Sequence, residues 1–330
     1  MSVIDEFSLI NKIKPHVVNQ SSLIMGIGDD AALVSSKDKF DQIICIDTMV
    51  EEVHFKRSTM KPYHIGFKAL AANISDVAAM GGIPLYYLIS IAIPKHWKEE
   101  DILVIYAGMN DLARNYDMDM IGGDTVSTNG PLVISVTVIG EVEKGKKLFR
   151  SNAKDGDIVF VTGTLGDSSA GLQLLLDNGI KYSYQLTEKD LVNKHQMPYP
   201  RVEVGRLLAC YNRVALNDIS DGLASEANEI AEASNVSIYL EEGLIPLSKQ
   251  IRDVCSEEAV IKALYGGEDY ELIGTLPQSD WKHFEKECVK QNYKVTAIGQ
   301  VKSGTSEVLL QTNDGKVKPV QKKGYNHFNN

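Results

Sequence analysis

The sequence predicts an α+β (mixed α/β) protein of two domains, each a sheet covered by helices. Three observations carry that prediction. The chain has 330 residues, enough for two domains of ordinary size. Strand-like and helical stretches mix without the strict βα repeat that a barrel requires. The stretch from Glu143 to Asp157 breaks the composition with Lys144, Gly145, Lys146, Lys147, Arg150, Lys154 and Gly156. The boundary is placed there, giving residues 1–143 and 144–330.

In the first domain, Phe7 to Ile13 reads as a short amphipathic helix ended by Pro15. The run Gly26-Ile-Gly-Asp-Asp-Ala31 has the spacing of a dinucleotide-binding turn, but it lacks a strong strand before it and a helix after. It reads instead as a turn presenting Asp29 and Asp30. Gln42 to Asp47 is a buried-type strand. Lys68 to Pro84 is Ala-rich and free of β-branched runs, so it is a helix. Gly81 and Gly82 stop it, and Pro84 prevents continuation. Leu70, Ile74, Val77 and Met80 make it apolar nearly all round, yet Asn73 and Asp76 share a face in its middle. A mid-helix Asp is no cap. It is either a solvated side chain on an exposed strip or a carboxylate aimed inward at a cation.

Leu85 to Ile93 is a strand, and Glu99 to Asn115 has helical periodicity through Ile102, Ile105, Met109 and Leu112. Asp117 to Ile121 is a short strand running into Gly122-Gly123-Asp124-Thr125. Leu132 to Val142 alternates and is rich in β-branched residues, as a strand should be. In the second domain, strands are expected at Ile158 to Thr162, Ala215 to Leu216, up to Thr275, Val295 to Val301 and Glu307 to Gln311. Helices are expected after Gly163-Thr-Leu-Gly-Asp-Ser168, at Arg201 to Cys210, after Asp218-Ile-Ser-Asp-Gly222 and at Asp280 to Gln291.

Composition narrows the chemistry. A hydrophobic content of 44% and a charged content of 24% are globular values. The net charge of -10 argues against nucleic acid or an anionic membrane as the main partner. The four cysteines are scattered without paired spacing, which fits reduced thiols in a cytoplasmic protein. No basic-then-apolar leader and no membrane-length apolar run are present.

Asp30, Asp47, Asp124 and the pair Asp218/Asp221 each sit where a strand or turn ends, beside Gly, Ser or Thr, and Asp76 sits on the apolar helix. Asp is a common turn residue, but five such loci point to a divalent-cation site of the Mg²⁺ or Mn²⁺ kind. Two unit charges about 4 Å apart cost roughly 4 kcal/mol at an effective dielectric of 20. Several converging carboxylates therefore need cations or protons among them. No Walker A motif is present, because the Gly163 to Ser168 turn lacks its Lys. That turn is either an ordinary strand-to-helix connection or a phosphate seat. Arg150 is a phosphate clamp or a solvated side chain. Neither a Ser/His/Asp nor a Cys/His pattern appears, so no covalent nucleophile is expected.

Taken in order, Gly28-Asp-Asp-Ala31, Asp47-Thr-Met-Val50 with His54-Phe55, Asn73-Ile-Ser-Asp-Val-Ala-Ala-Met-Gly81 and Gly122-Gly-Asp-Thr125 open a series. Thr162-Gly-Thr-Leu-Gly-Asp-Ser168, Asp218-Ile-Ser-Asp-Gly-Leu223, Gly267-Glu-Asp-Tyr-Glu-Leu272 and Gly324-Tyr-Asn-His-Phe328 complete it. Together they resemble the thiamine-monophosphate kinase family, within the aminoimidazole-ribonucleotide-synthetase-like superfamily, over essentially the whole chain. The resemblance implies that superfamily's two-domain fold, a homodimer built through the N-terminal domains, and ATP-dependent phosphorylation of thiamine monophosphate. It implies Asp30, Asp47, Asp76, Asp124, Asp218 and Asp221 as ligands of several Mg²⁺ ions. It implies Tyr106, Gly123, Asp124, Arg150 and Ser220 as ATP contacts, and His54, Glu268 and Tyr325 as substrate contacts. Ile46 stands where the family usually has a hydroxyl residue, and Glu52 where it usually has a small one. Two other functions compete: another ATP-using enzyme of the superfamily, acting on a ribonucleotide or a carbamoylated protein tail, and a Mg-nucleotide-binding protein without turnover.

Overall fold

The computed structural model describes residues 23–25, 29–30, 32–35 and 39–323. The expected Phe7 to Ile13 helix and the Gly324 to Phe328 motif with Tyr325 lie outside the described residues. Two sheets organise the chain. The first is built from β1 (Leu23–Met25), β2 (Ala32–Ser35), β3 (Phe40–Val50), β4 (Ile83–Pro94), β5 (Asp119–Thr128) and β6 (Val133–Glu143). Its order is β1-β2-β3-β6-β4-β5, and only the β4–β5 pairing is parallel. Alternation decides its faces. Ile134, Val136 and Val138 of β6 point inward and are fully buried, as are Ile43 of β3 and Ile91 of β4.

Helix α1 (Pro62–Ala79) lies on that inner face, flanked by α2 (Glu99–Arg114). It begins six residues before the Ala-rich run, because Pro62 at its first turn is preset for a helical φ. It ends where Gly81 takes a left-handed φ of 71°. From Ile65 to Ala79 every residue except Asp76 is buried. Leu70, Ile74 and Val77 are fully buried, each stabilising the fold by about 1.5–3 kcal/mol. The opposite face of the sheet stays exposed, with Ile46, Tyr86 and Val126 on it.

The β5 expectation needs correcting. The strand does not stop at Ile121 but runs through Gly122-Gly123-Asp124 to Thr128, paired in parallel with β4. At Gly123 a Cβ would lie 2.0 Å from the Ile89 carbonyl oxygen. The glycine there lets two backbones approach and does not make a turn.

The second sheet comprises β7 (Asp157–Thr162), β8 (Ala215–Asp218), β9 (Ser237–Glu241), β10 (Leu272–Pro277), β11 (Val295–Lys302), β12 (Val308–Gln311) and β13 (Val317–Pro319). Its order is β13-β12-β9-β11-β7-β10-β8. Its helices are α3 (Asp167–Asn178), α4 (Leu186–Gln196), α5 (Val202–Leu208), α6 (Leu223–Ser234), α7 (Lys249–Cys255), α8 (Ala259–Tyr265) and α9 (Gln278–Lys290). Leu223, Ala227 and Ile230 of α6 pack with Val159, Ile238 and Ile273. Val204 and Leu208 of α5, with Phe284 and Cys288 of α9, pack with Phe160, Leu216 and Leu272. Ala79 and Leu148 join this last cluster, so the two halves share core. Backbone contact tightens the join: a Cβ at Gly205 would lie 2.2 Å from the Ala78 carbonyl oxygen. Among the described residues no helix is long and apolar enough to cross a membrane.

Candidate active site

Four chain segments meet where the halves join. Asp76 projects from α1, the one opening in that buried helix. Asp218 ends β8, Asp47 sits on β3, and Asp30 follows β1. One carboxylate oxygen from each of Asp30, Asp76 and Asp218 lies within 4.8 Å of the others. Ser75 donates its hydroxyl to Asp218 Oδ2 at 2.6 Å. Asp30 Oδ2 is buried and accepts no hydrogen bond.

Burial and mutual repulsion dominate the electrostatics of these carboxylates. Burial pushes the Asp76 carboxyl well above its ordinary range, and the charges of Asp47, Asp218 and Asp30 push it further. Asp218 is raised well above its ordinary range by burial and by Asp30. Desolvation, helped by Asp30, raises Asp47 to about 6, and burial with Asp30 raises Asp29 to about 7. Oxygen donors alone, three of them converging, with a buried acceptor left unsatisfied, fit a hard divalent cation.

Arg150 is the cation that side chains supply. Its guanidinium pairs with Asp30, contacts Asp29 Oδ1 at 3.7 Å and Glu229 Oε2 at 3.0 Å, and is 16% exposed. It is therefore not a solvated side chain but a group held by three carboxylates. The Gly163 to Ser168 turn is also occupied. The Asp269 carboxylate accepts the Gly166 and Ser168 N–H groups at 2.6 and 3.1 Å, capping α3 from a distant loop.

Beside the carboxylates opens a cavity of about 840 Å³. Its walls include seven of the residues singled out in the sequence: Asp47, His54, Asp76, Asp218, Ser220, Asp221 and Glu268. The loop carrying Glu268 is laced onto the loop carrying Ser220. Glu268 N–H donates to the Ser220 carbonyl at 2.6 Å, and Tyr270 N–H to the Ile219 carbonyl at 2.9 Å. His54 is fixed through Nδ1, which accepts the Val50 N–H at 3.0 Å. Lys68 and His195 stand behind Glu268, and Leu172 and Leu176 add an apolar wall from α3. Sequence reasoning missed all four. A single Lys or His on a helix carries no signal of what it faces, and none of the helices expected from the sequence covers the segment that carries His195.

Tyr106, Gly123 and Asp124 lie elsewhere. Tyr106 is on α2, packed against the first core. Gly123 and Asp124 are on the exposed edge strand β5, with Asp124 in register with Ser90 of β4. None of the three lines the cavity.

Comparison with known proteins shows the family and the fold. Residues 28–142 match the AIR synthase related protein, N-terminal domain, and residues 154–310 match the corresponding C-terminal domain. The thiamine-monophosphate kinase of Bacillus subtilis (strain 168) is 50% identical over 325 residues, covering 98% of this chain and 99% of that one. The thiamine-monophosphate kinase of Escherichia coli (strain K12) is 37% identical, with 98% of each chain covered. The solved structure of AaThiL complexed with AMPPCP and TMP superposes with a TM-score of 0.85 at 36% identity, covering 98% of this chain and 97% of that one. E. coli HypE, a hydrogenase maturation protein, superposes with a TM-score of 0.71 at 19% identity, a likeness of fold alone. The chain is a kinase of the thiamine-monophosphate kinase family and belongs with the AIR synthase related proteins.

Proposed function

We propose that this protein transfers the γ-phosphoryl group of ATP directly to thiamine monophosphate, giving thiamine diphosphate and ADP. The observation that carries this reading is the cavity. Residues from distant parts of the chain, among them Asp47, His54, Asp76, Asp218, Ser220, Asp221 and Glu268, surround one space beside three converged carboxylates. The acceptor is a phosphate monoester with a second pKa of about 6, so it is already nucleophilic at neutral pH and needs no general base. Catalysis is then positioning and charge neutralisation of an in-line displacement. Asp30, Asp47, Asp76, Asp124, Asp218 and Asp221 are the proposed ligands of several Mg²⁺ ions, which when bound offset the negative charge of two phosphorylated substrates.

In this reading His54, Glu268 and Tyr325 hold the thiamine end, with the Glu268 carboxylate attracting the cationic ring. Tyr106, Gly123, Asp124, Arg150 and Ser220 take the nucleotide. A homodimer through the first domain is part of the proposal. The uncovered sheet face with Ile46, Tyr86 and Val126 supports it, as does the exposed edge strand that carries Asp124. The domains divide at residues 143/144, and the enzyme works in the cytoplasm.

The test is incubation with ATP, Mg²⁺ and thiamine monophosphate, followed by chromatography. Equal amounts of ADP and thiamine diphosphate are expected, and none in excess chelator. Orthophosphate or AMP as the nucleotide-derived product would move the enzyme to another branch of the superfamily. ATP binding without any turnover would make it a nucleotide-binding protein.

A further inference from the structure

Lys68 is fully buried in α1, on a helix whose neighbouring Phe67, Ala69, Leu70, Ala71 and Ala72 are buried too. A buried ammonium is costly unless it is paired. Its partners come from the other half of the molecule. Lys68 Nζ lies 2.7 Å from Glu268 Oε2 and 3.4 Å from each ring nitrogen of His195. His195, itself 1% exposed, is 3.5 Å from the same Oε2. Ser168 Oγ is 3.2 Å from His195 Nδ1, which fixes the ring from α3.

Glu268 is set differently. Its side chain is 27% exposed and lines the cavity, while the two groups behind it are sealed. Its backbone has a φ of 66°, a left-handed conformation rare for a residue with a side chain. Both buried groups approach one oxygen, Oε2, and so select a single orientation of the carboxylate. A free Glu on a cavity wall would sample several rotamers and attract any cation. This one is held by an ammonium from one domain and an imidazole from the other.

We infer that Lys68, with His195 beside it, is a positioning residue that fixes Glu268 so that its second carboxylate oxygen meets the cationic ring of the acceptor. The pair sets specificity for a phosphate ester whose far end is a positively charged heteroaromatic. The inference rests on the function proposed above. The contact spans the two halves, so the recognition carboxylate of the second domain has its geometry dictated by the first.

Steady-state kinetics on the full chain test this, using wild type, Lys68→Met, Lys68→Arg, His195→Gln, Glu268→Gln and the double variant Lys68→Met/Glu268→Gln. Lys68→Met is expected to raise KM for thiamine monophosphate about tenfold, roughly the loss of one charge-assisted contact, with KM for ATP changed less than about twofold. Lys68→Arg restores part of the loss, and His195→Gln moves the same KM by a smaller factor. Because Lys68 acts through Glu268, adding Lys68→Met to Glu268→Gln changes KM no further. The double variant leaves no unpaired buried charge, so its comparison with Glu268→Gln stands even where Lys68→Met alone fails to fold. Additive effects in the double variant, an equal rise of both KM values, or a wild-type KM in Lys68→Met overturns the inference while leaving the proposed function intact. A wild-type enzyme that does not phosphorylate thiamine monophosphate removes both.

Discussion

Asp76 is the only residue between Ile65 and Ala79 of α1 that is not buried, and it opens onto three other carboxylates. Burial and those neighbours hold its pKa far above the ordinary range, so its ionised form is unfavourable unless a cation arrives. Asp76→Asn should lower kcat by about 100-fold or more, the scale of losing a group that organises transition-state charge. It should also leave the melting temperature in chelator unchanged or higher, since a repelling charge has gone. Near-normal turnover would remove Asp76 from the catalytic apparatus. His195 allows a second test at this scale. Burial, with Lys68 adding to it, depresses its pKa to about 3. A histidine with a depressed folded pKa costs stability as pH falls below its unfolded value of about 6.5, because only the unfolded chain takes the proton. Wild type should therefore lose stability relative to His195→Gln by about 1.4 kcal/mol per pH unit from pH 6.5 downward. Denaturant midpoints at several pH values measure this, and parallel curves for the two proteins would contradict it. Asp residues beside Gly and Ser were legible in the sequence only through their recurrence at several loci, since one Asp in a turn is commonplace. Lys68 and His195 were not, because a single polar side chain on a helix ordinarily faces water and only tertiary packing reverses that.

Among the elements, α1 was legible from its alanines and its Gly81 stop, although Pro62 placed its start earlier. Strand β5 was not. Its Gly122-Gly123 pair has the composition of a turn, and the reason for Gly123 is the Ile89 carbonyl 2.0 Å from where a Cβ would stand. No local pattern announces a neighbouring backbone. The same strand carries a consequence for assembly. β5 is a sheet edge, exposed along nearly its whole length, with Ile121 52% and Val126 48% exposed. Unprotected apolar edges are pairing surfaces. Ile121→Glu with Val126→Glu should convert the proposed dimer to a monomer of half the mass in sedimentation at micromolar concentration, while the circular dichroism spectrum stays native. An unaltered mass in the variant would place the interface elsewhere.

At the scale of the whole molecule, the composition break near Gly145 and the irregular order of strands and helices forecast two halves, and the two sheets follow. The meeting of Asp30, Asp76 and Asp218 was expected from the family resemblance and not from local spacing, because convergence depends on how one half docks on the other. Ala79 and Leu148 in the shared core and the contact of α1 with Gly205 fix that docking. The arrangement concentrates carboxylates at the joint of a chain whose net charge is already -10. A ligand that binds only the folded state stabilises it by RT ln(1 + [L]/Kd), about 2.7 kcal/mol at a hundredfold excess over Kd. Mg²⁺ should thus raise the wild-type melting temperature by several degrees, on the order of 2–4 °C per kcal/mol for a chain of this class. Sodium chloride at matched ionic strength supplies only screening and should give much less. In Asp76→Asn/Asp218→Asn two of the three converged oxygens lose their charge, and the Mg²⁺ increment should vanish while the chloride response persists. Equal increments in wild type and the double variant would show that the joint between the halves holds no divalent ion.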